Sequence, residues 1–464
     1  MKMTSGELKK GKLKMNGKES SVFGRKSWLI LILFGTIGQL AWSVENMYFN
    51  LFVFDEIAPN LDAITLMVQL SGVTATVATL FAGVLSDKLG NRRTLISYGY
   101  LIWGVTVALF GCTSTELVGG IFGVEGTTAV TLTLGLLVAG DCVMTLFGST
   151  ANDAAFNAWV TDNTKPAFRG TVEGVLSILP LIAMLVVAGG FGILVSATSY
   201  RAVFIGLGAV ISLSGLYGIF VIKDSPTLTR SGSFREIFWG FKPSVVKKNA
   251  PLYLTLVAVL IYGVACQIFM PYLIIYMKTY LGFSEIEYSI VFGAAIVLGA
   301  VINVFLGRLS DKRDKTKLLY FAAATMAAGL FGMYFAPPTN KTAALAVFGI
   351  FGFVMICGYI FVSALCGSTV RDYTPEGAVG KLQGVRMVFS VLIPMLAGPA
   401  IGNGINKAMG VKLQDAGADI MTTEYIPAPE IFLVGGFVAL LMFAVIPLIS
   451  RARGKRKSKG LIKL

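Results

Sequence analysis

The sequence predicts an all-α membrane protein of twelve transmembrane helices, in two six-helix halves related by a pseudo-two-fold axis. Composition is the first observation behind this. The 464 residues are 55% hydrophobic and only 14% charged, with mean hydropathy +0.75, too apolar for an ordinary soluble domain. Most of the apolar runs exceed the about 18 residues that cross a bilayer as a helix. The remaining observations are two repeated polar turns. GVLSDKLGNRR at Gly83–Arg93 returns as GRLSDKRDKTK at Gly307–Lys317, 224 positions later. VTDNTKPAFRGTVEGV at Val160–Val175 aligns without gaps, at an offset of 210, on VRDYTPEGAVGKLQGV at Val370–Val385. That alignment sets Asp162 on Asp372, Thr164 on Thr374, Gly170 on Gly380 and Gly174 on Gly384. Repeated turns at equivalent places are the mark of parallel duplicated halves.

In chain order, a basic N-tail (1–27) lacks a signal-peptide core or cleavage site, so the first span is expected to act as its own insertion signal. Six spans follow at about 28–54, 62–85, 94–112, 128–160, 171–195 and 200–222, forming the first bundle, 28–222. A basic connection, 223–250, leads to the second bundle, 251–450, with spans near 251–277, 286–307, 317–336, 342–370, 381–406 and 429–450. A basic C-tail, 451–464, ends the chain, and an acidic segment, 407–428, lies before the last span. Of the 39 Lys and Arg, 33 fall in the tails and alternate loops. By the positive-inside rule both termini are cytoplasmic, in the inner (plasma) membrane.

Ionisable and amide groups at bilayer depth are costly and mark candidate sites. Gln39, Ser43, Asn46 and Asn50 share one face of span 1, with Glu45 on its flank beside Trp42 and Phe49. An acid, amides and aromatic rings suit a sugar, since amides bond hydroxyls and rings stack on pyranose faces; the same amides could instead join helices. In span 4, Asp141, Thr145 and Asn152 are expected along one face, and Asp153 with Asn157 along another. Span 7 offers Tyr262, Phe269 and Tyr276 on one face, with Gln267 turned away and Pro271 as a kink; span 10 offers Tyr359 and Ser363. These aromatics serve either packing or ligand contact.

Several classes fall away. There is no histidine, so a proton carrier must be a carboxylate, and no Ser/His/Asp arrangement is available. There is no GxxxxGK[ST] loop for ATP and no cofactor site. Cys112, Cys142, Cys266, Cys357 and Cys366 have no ligand-like spacing, so no metal is expected. The net charge of +14 is spread by topology rather than gathered in a nucleic-acid patch; its expected partner is anionic lipid.

Together the paired loops, the 6+6 halves and the basic central connection resemble the major facilitator superfamily of secondary transporters, over essentially the whole chain. The first loop carries that family's signature at Gly83, Asp87, Gly90, Arg92 and Arg93; the second keeps Gly307, Asp311 and the basic cluster but has Asp314 where a glycine would stand. The resemblance implies a cavity among spans 1, 4, 7 and 10, and gating by these turns. Asp87 would pair across the halves in the cytoplasm-closed state, with Arg169 or Arg386 as partners, and Asp162 and Asp372 mark the second pair of turns. More narrowly, ANDAAFNAWVTD (Ala151–Asp162) and AWSVENMYF (Ala41–Phe49) resemble stretches of proton-coupled sucrose and disaccharide carriers. That implies sugar or proton roles for Glu45 and Asp153. Asn157 departs from the group, standing where those carriers have arginine. Span 2 has no acids of the melibiose-type sodium site, only Thr65, Gln69, Ser71, Thr74 and Thr76, which favours protons. The expectation is a monomeric, proton-coupled sugar or glycoside symporter that is not an enzyme. A proton-coupled drug or metabolite exporter and a non-transporting sensor are the alternatives.

Overall fold

The computed structural model describes residues 25–164, 169–225, 238–310, 314–375, 379–411 and 425–458. Its framework is helical, and among the described residues twelve helices are long and apolar enough to cross a membrane. They are α1 (Lys26–Ile57), α2 (Leu61–Leu89), α3 (Arg92–Cys112), α4 (Gly126–Asn163), α5 (Ile178–Ala197) and α6 (Tyr200–Val221). The second set is α7 (Ala250–Tyr280), α8 (Glu285–Ile302), α9 (Lys315–Tyr334), α10 (Lys341–Tyr373), α11 (Gly384–Met409) and α12 (Glu430–Gly454). A short helix that spacing alone does not predict, Thr115–Phe122, joins α3 to α4 and exposes Leu117, Ile121 and Phe122.

The helices are inside-out relative to soluble ones. On α6 the inward positions are Gly208, Ile211, Ser214, Gly215 and Gly218, while Val210, Leu213, Leu216 and Phe220 point outward. With lipid as apolar as leucine, small residues at contacts give close packing that bulky ones cannot. A Cβ on Gly104 of α3 would lie 2.3 Å from the Gly208 carbonyl oxygen, so these two backbones touch. Across the halves, α2 packs on α11 and α8 on α5. Exchanging each helix for its counterpart in the other half, α2 for α8 and α11 for α5, turns the α2–α11 contact into α8–α5, as a two-fold axis between the halves requires.

Both ends are visible in the polar contacts. At the end away from the termini, Asp55 Oδ2 accepts from Lys278 Nζ and Tyr200 Oη, each at 2.7 Å. Asp62 Oδ1 accepts from Asn403 Nδ2 and Lys407 Nζ, each at 2.6 Å. Thr65 Oγ1 lies 2.7 Å from Tyr272 Oη, and Gln69 Nε2 donates to the Leu396 carbonyl at 2.8 Å. This far-end belt therefore ties α1 and α2 to α7 and α11.

Candidate functional site

Polar side chains of α1 are presented by an irregular helix. After Val44 the backbone opens into a π-helical turn, Glu45–Phe49, and again over Val53–Ile57; such turns release one backbone bond and concentrate at functional sites. On one side of α1 lies a central cavity of about 340 Å³, at the lower end of the ~300–1,000 Å³ usual for small-molecule sites. Gln39, Trp42, Ser43, Asn46 and Asn50 line it from α1. Asn46 is exposed to it, while Asn50 is buried and leaves its Oδ1 without a partner. Opposite stand Tyr262 and Tyr359, rings 6.2 Å apart and edge to face. Among the described residues, no acid, lysine or arginine lines the cavity.

The acids sit behind it. Glu45, 8% exposed, turns away from the cavity; its Oε1 accepts from Ser71 Oγ at 3.0 Å and Thr145 Oγ1 at 3.1 Å. The two hydroxyls are 2.8 Å apart. Asp141, 2% exposed and one turn before Thr145, approaches the same Ser71. Glu45 Oε2 and Asp141 Oδ1 have no partner, and neither carboxyl is ion-paired among the described residues. Asp153 accepts from Asn152 Nδ2 at 3.2 Å and lies near the Trp42 indole. Asn152 Oδ1 in turn is 2.9 Å from Tyr100 Oη.

The sequence expectations are thus divided. Gln39, Trp42, Asn46, Asn50, Tyr262 and Tyr359 meet at the cavity; Glu45, Asp141, Asn152 and Asp153 gather inside the first bundle; Asn157 is exposed beyond it. Two assignments of faces change. Gln267 lines the cavity because the pocket wraps a broad face of the helix Ala250–Gln267, touching Tyr262, Gly263, Cys266 and Gln267 together. Tyr276 instead packs in the core against Phe348 and Phe432. Sequence reasoning also missed Met184, Cys266, Ser390 and Pro394 of the lining; helix-interior prolines at Pro180 and Pro394, both in the wall, were the available signal.

At the end bearing the termini, Arg92 is 3% exposed and holds Asp87 and Ser86, with its Nε 3.1 Å from Asp162 Oδ2. Asp224 Oδ1 accepts from the backbone N–H of Arg92 and Arg93, at 2.9 and 3.0 Å, neutralising the start of α3. Arg93 also donates to the Ile219 carbonyl. Asp87 is paired inside its own half with Arg92. The glycine that the turn demands is Gly90, at φ 61°; a Cβ on Gly83 would meet nothing within 4 Å, so close approach does not explain that residue. In the second half Lys315 pairs with Asp372 at 2.6 Å and Arg453 with Asp314 at 3.3 Å. Gly307 lies in the helix continuing α8, Arg169 opens the helix leading into α5, and Arg386 precedes the π-turn Val388–Leu392 of α11. Asp311 is outside the described residues.

A twelve-helix membrane protein with a neutral central cavity and repeated polar turns defines a transporter class. The Major Facilitator Superfamily model matches residues 31–399, and the chain belongs to that family. A curated relative, the "Probable sulfoacetate transporter SauU" of Cupriavidus necator, is 25% identical over 276 residues. The match covers 56% of this chain and 60% of that relative's length. Among solved structures, the nucleoside transporter NupG superposes with TM-score 0.62 at 11% identity, covering 91% of this chain and 98% of that one. A bacterial homolog of the human lysosomal transporter Spinster gives 0.64 at 14%, covering 92% and 97%. The xylose transporter XylE of E. coli gives 0.61 at 14%, covering 90% and 97%.

Proposed function

We propose that the chain is a secondary transporter that moves a neutral, hydroxyl-rich solute of the sugar or glycoside class by alternating access, driven by protons. The carrying observation is the division between the neutral cavity and the acids behind it. Amides of Gln39, Asn46, Asn50 and Gln267 can bond hydroxyls, and Trp42, Tyr262 and Tyr359 offer ring faces. A sulfonate or carboxylate would meet no cation there. Glu45 and Asp141 are buried without a countercharge, and leaving such a carboxylate bare costs several kcal/mol; a bound proton removes that cost. Trp42 touches both regions, which gives substrate and proton a shared neighbour.

The moving bodies are residues 28–222 and 251–450, joined by the connection 223–250. Basic residues in the tails and alternate loops set the terminal end on the cytoplasmic side, and the far-end belt then closes the outer face. An exporter of apolar compounds is the second reading: Met47, Met184, Met270 and Met355 line the cavity, and methionine adapts to varied apolar ligands.

Counterflow in proteoliposomes separates the two. Sugars, glycosides and nucleosides should exchange, and an imposed pH gradient, not a sodium gradient, should drive accumulation. Exchange of organic sulfonates or cationic drugs alone would overturn the reading.

A further inference from the structure

One stripe of α4 is not used by the cavity and runs the length of its inner half. Asp141, Thr145, Ser149, Asp153 and Asn157 follow one another at four-residue steps. Their exposure is graded. Asp141, Thr145 and Ser149 are buried, at 2%, 0% and 0%, Asp153 is half-buried, and Asn157 is exposed toward the terminal end. In a regular α-helix, twelve residues would swing Asp153 about 120° away from Asp141. The π-helical stretch Ser149–Phe156 underwinds the chain and rotates Asp153 back toward the stripe. Ser149 Oγ approaches the Asp153 carboxyl but closes no hydrogen bond, and it is left without a partner. At the other end of the stripe Thr145 already donates to Glu45 Oε1. Asn157 Nδ2 donates to the Asp153 backbone carbonyl at 3.1 Å.

We propose that Asp153, Ser149 and Thr145 form a proton path from the terminal-end surface to the Glu45–Asp141 pair, with Ser149 as its obligatory middle link. This rests on the proton-coupled reading and names its route. Side chains one helical turn apart have Cβ atoms about 5–6 Å from each other, a gap that one water spans between two hydroxyls. A proton on Asp153 passes to Ser149 Oγ as the Ser149 proton moves to the bridging water and a proton of that water moves on to Thr145 Oγ1. The Thr145 proton then passes to Glu45 Oε1. One proton has left Asp153 and one has reached Glu45, with both hydroxyls restored after they turn.

The test needs no substrate. Purified protein in lipid is moved from H2O to D2O, and infrared difference spectra follow the carbonyl band of buried protonated carboxyls. Loss of the band in Glu45→Gln and Asp141→Asn assigns it. In Ser149→Ala and Thr145→Val the band should persist but exchange about tenfold or more slowly, as a raised transfer barrier demands. Thr145→Ser, which keeps the hydroxyl, should exchange at the wild-type rate. An absent band in the wild-type protein overturns the proton reading and the path with it. A band that exchanges equally fast in Ser149→Ala and Thr145→Val overturns the path alone. Should Ser149→Ala not reach the membrane, Thr145→Val against Thr145→Ser decides between the same two outcomes.

Discussion

Helices α4 and α10 hold equivalent places in the two halves and carry different side chains. At the offset of 210, Asp141 falls on Phe351, Thr145 on Met355, Ser149 on Tyr359, Asp153 on Ser363 and Asn157 on Gly367. Met355 and Tyr359 face the cavity, whereas none of their α4 counterparts does. The backbones differ as well: α10 runs as one α-helix over Lys341–Tyr373, while α4 carries the π-helical stretch Ser149–Phe156. Duplication supplied two equal frames. The central face of α10 borders the cavity, and the polar groups of α4 turn into their own bundle. Under the proposed function, this separation holds a proton in a dry place while the cavity stays neutral.

The largest expected effect tests that separation directly. Glu45→Gln preserves shape and hydrogen bonding to Ser71 and Thr145 but removes the exchangeable proton, so accumulation against a gradient should be lost. Ser363→Ala, at the place equivalent to Asp153, should leave the accumulation ratio at the wild-type value. Both are read as steady-state uptake in proteoliposomes under an imposed pH gradient. Accumulation that survives Glu45→Gln and collapses in Ser363→Ala would reverse the roles of the two copies.

A smaller effect belongs to the cavity side. Tyr359→Phe removes one hydroxyl and keeps the edge-to-face contact with Tyr262. One hydrogen bond to a solute is worth about 1 kcal/mol, so half-saturation of counterflow should rise roughly five- to tenfold. The accumulation ratio, set by coupling rather than affinity, should not move. A changed ratio would mean that Tyr359 takes part in coupling and that the copies are less distinct than their surroundings suggest.

Much of this arrangement was legible in the sequence. Twelve apolar runs, the two repeated turns and the amide stripe of α1 all follow from spacing and hydropathy, because a bilayer forces regular helices of fixed length. What spacing could not reveal was where helices depart from regularity. Asp153 was expected on a separate face from Asp141 because α-helical periodicity puts it there; the π-helical stretch brings it back. Gln267 points away from Tyr262 by helical spacing, yet it lines the cavity because the pocket wraps a broad face of the regular helix Ala250–Gln267. Likewise Glu45 flanks the cavity stripe in sequence, yet its carboxyl is drawn inward by Ser71 and Thr145, two hydroxyls on other helices. Partners of that kind are tertiary information. The turn at Gly83–Arg93 is legible as a polar junction, but spacing does not reveal that Arg92 near its end is buried and binds Asp87 and Asp162 of its own half.

The smallest effect concerns how the two halves are held against each other. Asp62 on α2 is bonded by Lys407 and Asn403 of α11 at the far end, with side chains of Asp62 and Lys407 60% and 48% exposed. An ion pair this exposed is worth only about 0–1 kcal/mol, so Asp62→Asn should shift the balance toward a far-end-open state by no more than about fivefold. Cys266 provides the reporter, since it lines the cavity as a free thiol. In a variant retaining Cys266 as its lone cysteine, an impermeant thiol reagent added at the far end should label Asp62→Asn a few-fold faster than its parent. Labelling from the terminal end should slow in step, because one population feeds the other. Equal acceleration from both ends would show a loosened protein rather than a shifted equilibrium, and would remove the belt from the gating of the two halves.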